Sequence, residues 1–165
     1  MELNGAERAE GVRLWIVDRS YPERPWAGIL EETAQELLRP LVYAVEFTRE
    51  TAQAMSWLKT WTEELERRLA LDEAQAQQQP SWVLVAAEAE RLSPLARTVS
   101  EYGSGMESPE GLRLRQLYTR GPALGLHLVL TFSTGASLRQ HLERAQLESF
   151  KHRVAAQVSE DDSYT

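Results

Sequence analysis

Residues 82–92 read WVLVAAEAERL, a compact apolar run from Trp82 to Ala87 that breaks into acids at Glu88 and Glu90. An apolar run of this length, without alternation, is how a strand covered on both faces looks. Four further runs share the character: Val12–Val17 (VRLWIV), Leu41–Glu46 (LVYAVE), Leu126–Phe132 (LHLVLTF) and Arg153–Val158 (RVAAQV). Helical patterns separate them. The clearest spans Thr48–Leu71, where Thr48 can cap, Glu50 sits in the first turn, and Met55, Leu58, Trp61, Leu65 and Leu69 recur at steps of three or four. Its other face, with Glu63, Glu64, Glu66, Arg67 and Arg68, is expected to be wet. Shorter helices are expected at Ala27–Leu38, Glu110–Thr119 and Ala136–Phe150. The alternating order predicts an α/β fold, a mainly parallel sheet with helices on both faces.

Asp72–Pro80 (DEAQAQQQP) reads as a polar, glutamine-rich connection, and Tyr102–Gly111 (YGSGMESPEG) as a Gly/Ser/Pro loop. The length, 165 residues, fits a single domain, with residues 1–11 as a tail and 12–165 as its body. The chain is 42% hydrophobic and 26% charged, an ordinary globular balance. It has no cysteine, which removes disulfides, thiolate metal sites and cysteine nucleophiles together. A formal charge of −7 gives no global attraction for nucleic acid or anionic membrane. Apart from Lys59 and Lys151 every basic residue is arginine, whose planar fork suits carboxylate and phosphate. No apolar run approaches the roughly 20 residues of a membrane span, and MELNGAERAEG has no signal-peptide pattern, so a cytoplasmic location is expected.

Parallel sheets bind ligands at the C-terminal ends of their strands, so chemistry is expected at those ends. The phosphate loop G-x-x-x-x-G-K-[ST] is absent from the chain, and Gly103-Ser104-Gly105 reads as a flexible turn. The 82–92 strand has the shape of a Walker B segment, but Ala87 stands where the Mg²⁺-holding aspartate belongs and Glu88 remains as the water-orienting acid. On its own, a strand ending in glutamate is also an ordinary solvated strand end. His127 inside a strand reads as a core or interface histidine. His141 and His152, with Glu143 or Glu148, lack metal-ligand spacing, so no metal site is expected. Trp57 and Trp61, one turn apart, suit core or subunit packing better than base stacking.

Taken in series, the segments resemble the FtsK/SpoIIIE family, hexameric RecA-like motors that translocate double-stranded DNA and include the ATPase domains of type VII secretion. The strand ending in Asp-Pro-Lys is similar to LWIVDRS with Asp18, and the helix ending E-M-E-R-R-Y to WTEELERRL with Glu64–Arg68. The G-R-A-x-G-I-H-L-I-L-A-T-Q-R stretch is similar to GPALGLHLVLTFST, and the final R-I-A-F-Q-V-S-x-x-x-D-S-R to RVAAQVSEDDSY with Asp162-Ser163. The departures fall on polar site positions: Ala87 for the Walker B aspartate, Pro122 for the G-R-A arginine, with Arg120 close by, Phe132-Ser133-Thr134 for T-Q-R, and Tyr164 for the final arginine.

The resemblance therefore implies part of an ATP-driven DNA motor with a degenerate nucleotide site. Glu88 would be the residual catalytic acid, Asp18 and Ser133 would bind nucleotide, Arg120 would face a neighbour's nucleotide in a ring, and little hydrolysis is expected. In the family a P-loop strand and helix precede the Asp18 strand. ATP and Mg²⁺ are thus implied only with a P-loop joined to this chain or packed beside it in a ring. Double-stranded DNA and homo-oligomeric ring partners are implied in the same way. The reading from another class is a non-catalytic scaffold or regulatory subunit that keeps the fold to bind a partner.

Overall fold

The computed structural model describes residues 11–20, 42–95, 98–99, 105–106, 108–142 and 144–154. Strand β1, Val12–Asp18, is the most heavily buried, with Trp15, Ile16 and Val17 all at 4% exposure or less. It lies between β2, Val42–Thr48, and β3, Ser81–Ala87, and β6, Leu126–Leu130, completes the order β2-β1-β3-β6, parallel throughout. The continuous apolar runs are the sequence form of this arrangement, since a parallel strand buries both its faces. β4, Thr98–Val99, and β5, Gly105–Met106, form a separate two-residue antiparallel pair, with β5 inside the expected loop at 102–111 and β4 just before it. The expected helix at 27–38 and most of the expected strand at 153–158 lie outside the described residues; Arg153 and Val154 are described and are not strand.

The main helix, α1, runs Thr51–Leu69. It starts later than expected. Thr48 is the last residue of β2 rather than a cap: its Oγ1 accepts the Glu50 N–H, and Glu50 itself is the extended N-cap residue without a side-chain cap. The expected connection at 72–80 contains a short helix α2, Glu73–Gln77, whose first turn is capped by Asp72 accepting the Gln75 N–H at 2.8 Å. Helix α3, Pro109–Arg120, has its proline at the first helical position and Ser108 as cap, accepting from Gly111 N–H. The single expected helix at 136–150 is two short ones, α4, Gly135–His141, and α5, Arg144–Leu147.

Helices α1 and α3 pack together on one face of the sheet. Between them and the strands lies the main core, with Trp15, Trp61, Leu65, Trp82, Leu84, Leu117 and Leu126. Leu14 and Ile16 point to the other face, with Val45, Val83 and Val85 against them. The rings of Trp15, Trp61 and Trp82 meet mutually, with centroids 4.7 to 5.5 Å apart. Trp57 is also buried, as core packing requires.

The polar face of α1 is not uniformly wet. Arg68 is buried, with 1% of its surface exposed, and each of its three guanidinium nitrogens donates a hydrogen bond. Nε donates to Glu64 at 2.7 Å, Nη1 to the Leu124 carbonyl at 2.7 Å and Nη2 to the Pro80 carbonyl at 2.8 Å. Its plane also lies over the Trp82 ring, 5.4 Å from the centroid. Leu69, expected on the apolar stripe, is exposed instead. The C-terminal turn of α1 is therefore rotated so that an arginine, not a leucine, plugs the space before β3 and β6. Gly125, at φ 74°, sits against this guanidinium, and Gly121 lies so close to the Leu117 and Leu126 carbonyls that a Cβ would meet them at 2.4 and 2.8 Å.

Burial pushes the Glu64 carboxyl up, but the hydrogen bonds and charges of Arg67 and Arg68 outweigh it and hold the group below the ordinary glutamate range. A carboxylate lowered on folding adds stability above its unfolded pKa, and that stability is lost as pH falls through the folded value. The stability gap between the native chain and Glu64→Gln is therefore expected to be largest near neutral pH and to shrink on acidification below the ordinary glutamate value of 4.5. Urea unfolding at a series of pH values checks this; a gap independent of pH would contradict it.

Candidate functional site

The chain leaves β1 toward β2 on one side and leaves β3 toward β6 on the other, so the strand order reverses between β1 and β3. At such a switch point the loops diverge and open a crevice beyond the C-terminal strand ends. Asp18 and Ala87 end those two strands and stand directly opposite each other. The candidate site is thus where the sequence reading put Asp18 and Glu88.

Asp18 is buried and its carboxylate is occupied. One oxygen accepts the Ser20 N–H and hydroxyl, the other the Arg49 guanidinium at 2.9 Å, while Arg19 donates to the Arg49 carbonyl. Its partner in register, Ala87, contributes a methyl group that is 2% exposed. Glu88 follows in the left-handed region at φ 52°, ψ 57°, the only non-glycine with positive φ among the described residues. Backbone strain of this kind costs about 1–3 kcal/mol and is kept where surrounding structure over-determines it. Here the Glu88 N–H donates to Thr131 Oγ1 at 3.0 Å and the Ala89 N–H to the Thr131 carbonyl at 2.9 Å. The Glu88 carboxylate turns to Arg91, 3.6 Å away, and is largely covered.

The residue that the sequence reading missed is Glu90. Its Oε1 accepts both the Ser133 N–H, at 2.9 Å, and the Ser133 hydroxyl, closing a clasp between the turn after β3 and the loop after β6. The available signal was the second acid of E-A-E-R, two residues past Glu88. Ser133 is thereby placed at the same C-terminal end of the sheet as Asp18 and Glu88, and Thr134 caps α4 by accepting the Ser137 N–H.

Arg120 is not brought there. It ends α3, one residue before Gly121, whose carbonyl accepts the Leu126 N–H at the N-terminal end of β6. It therefore lies at the opposite end of the sheet from Asp18, Glu88 and Ser133. His127 is exposed on β6 rather than in the core, and His141 Nδ1 contacts the Ser137 carbonyl. Among the described residues no three His, Asp or Glu side chains group as metal ligands. An apolar pocket lined by Val17, Leu58, Leu84, Leu114 and Leu130 has about 20 Å³ of free space, room for one water. No described helix is long and apolar enough to cross a membrane.

No family model and no curated protein matches the chain. Among solved structures, the cytoplasmic domain of the Thermomonospora curvata type VII secretion ATPase EccC is similar over 84% of this chain and 16% of that one, with a TM-score of 0.53 and 18% identity. EssC (ATPases 2 and 3) from Geobacillus thermodenitrificans is similar over 86% of this chain and 25% of that one, with a TM-score of 0.49 and 12% identity. The chain thus spans a small part of the length of either. At this identity the likeness concerns the fold. With its four-stranded parallel sheet, its helical layer and a topological switch point between β1 and β3, the chain has an α/β fold of RecA-like type, shared with the type VII secretion ATPase EccC.

Proposed function

We propose that this chain is part of an FtsK/SpoIIIE-like translocase motor in which this nucleotide site is degenerate and does not itself turn over ATP. One observation carries the reading: the polar groups at the switch point are spent on each other. Asp18 is saturated by Ser20 and Arg49, Ala87 offers no ligand, Glu88 is held against Arg91, and Glu90 grips Ser133. Phosphoryl transfer depends on charged groups positioned toward the transferring phosphate. These residues do not by themselves fit a Mg²⁺–nucleotide group, so no step is assigned through one. ATP, Mg²⁺ and double-stranded DNA belong to the proposal through the motif series alone, with a P-loop supplied in the same ring.

The clasp between Glu90 and Ser133 favours a second reading, a non-catalytic scaffold or regulatory subunit on the same fold, because it ties two loops together that a working site would leave to the ligand. Phosphate release from ATP separates the readings from an active enzyme. The chain is expected to show no turnover above blank, and Glu88→Ala is expected to change nothing beyond stability. Turnover that falls on Glu88→Ala would establish a working acid and overturn both.

A further inference from the structure

Among the described residues only Glu88 carries a side chain in the left-handed region, and most of what holds it there comes from one segment 43 residues later. Thr131 accepts the Glu88 N–H on its hydroxyl and the Ala89 N–H on its carbonyl, and Ser133 gives its N–H and its hydroxyl to one oxygen of Glu90. The two sets of contacts differ in footing. Thr131 continues the sheet, its N–H donating to the Ala86 carbonyl. Ser133 lies beyond the sheet, exposed, and directly precedes Thr134, the cap of α4. Helix α4 in turn packs against the tight turn Ala89–Arg91, so the clasp joins α4 to the strained residue. The second carboxylate oxygen, Glu90 Oε2, is buried and has no hydrogen-bond partner, which opposes the closed form. Closed, the clasp thus sets two charge-assisted hydrogen bonds against backbone strain and a bare oxygen. Ala89 and Leu92 are anchored in the main core, so losing the clasp leaves the turn seated and releases the strain at Glu88.

We propose that Glu90 and Ser133 form a latch that ties the state of Glu88 to the position of α4. With the latch closed, Glu88 stays left-handed and its carboxylate lies 3.6 Å from Arg91. When α4 shifts, Ser133 is drawn off Glu90, the peptide groups flanking Glu88 turn away from Thr131, and the Glu88 carboxylate leaves Arg91. A contact made at α4 thereby reaches the acid at the end of β3 without touching it. As regulation of that acid, the latch rests on the reading of this site as a nucleotide site. The coupling itself involves no nucleotide, so it can hold where that reading fails and fail where it holds.

Hydrogen exchange of single amides in the full chain, followed by nuclear magnetic resonance, tests it. Ser133→Ala is expected to speed exchange at Glu88 and Ala89 by about tenfold to a hundredfold, the worth of one hydrogen bond to a charged group. Amides of the ladder between β1 and β3 are expected to keep their rates, which separates opening of the latch from a general loss of stability. Adding Glu88→Gly removes the strain, since glycine takes the left-handed region freely, and is expected to bring both rates back to roughly the native value. Thr134→Ala uncaps α4 and leaves the groups of the latch intact. It is expected to speed the same two amides in the native chain and to have little effect once Ser133→Ala has opened the latch. Unchanged rates in Ser133→Ala or no recovery with Glu88→Gly would overturn the latch. So would a Thr134→Ala effect that is absent from the native chain or persists without the Ser133 hydroxyl.

Discussion

Arg68→Ala is expected to lower the stability of this chain by about 3–5 kcal/mol, the range for removing one partner from a buried ion pair. A domain holds only about 5–15 kcal/mol in all, so the loss is a large share. Three groups lose this donor at once: the Glu64 carboxylate and the carbonyls of Leu124 and Pro80. The two carbonyls shortly precede β6 and β3, so both strand starts are loosened together. Arg68→Lys is expected to recover only part, since an ammonium cannot reach all three groups in the planar geometry of the fork. Urea unfolding should show a lower midpoint with an unchanged slope. A loss below about 1 kcal/mol, the worth of an exposed pair, would mean that Arg68 is solvated after all.

Trp61→Ala is expected to cost about 3–5 kcal/mol as well, for a different reason. Trp61 is fully buried and meets Trp15 edge-on at 5.2 Å and Trp82 at 5.5 Å. Its removal leaves a cavity between α1 and the two central strands, which their backbone ladder prevents from collapsing. Three indoles at these separations couple their electronic transitions, so the near-ultraviolet circular dichroism of the native chain should be intense and should weaken sharply in the variant even where it remains folded. Trp61→Phe keeps a ring in place and is expected to lose less than half as much stability. Equal losses for the two variants would show that the aromatic contacts contribute little.

The strands were legible because burial on both faces leaves a mark that needs no partner to be read. VRLWIV, LVYAVE and WVLVAA each lie within a residue or two of β1, β2 and β3. Capping was not legible at Thr48, because the same hydroxyl serves the end of β2 as readily as the start of a helix. Arg68 was misread for a sharper reason. Periodicity sorts residues by polarity, and an arginine that satisfies its charge on main-chain carbonyls is invisible to it. At the switch point, the sequence located Asp18, Glu88 and Ser133 at the C-terminal end of the sheet, since strand ends fix where they lie. Arg120, expected to face a neighbour's nucleotide, ends α3 at the opposite end of the sheet from Asp18. Glu90 escaped notice because its role depends on Ser133, 43 residues later.

The strand order also has a kinetic side. Val12 lies beside Val42 and Ser81, and Trp82 beside Leu126, so no strand of the four-stranded sheet is joined to its neighbour by a hairpin. Each pairing closes a long loop before any ladder bond forms, and proteins of such topology fold slowly for their size. During synthesis at about 5–20 residues per second, β1 leaves the ribosome seconds before β3 exists to cover its second edge. The most heavily buried strand of the sheet is therefore also the one that waits longest for its neighbour, and it is there that a chaperone would find its first hold on the nascent chain.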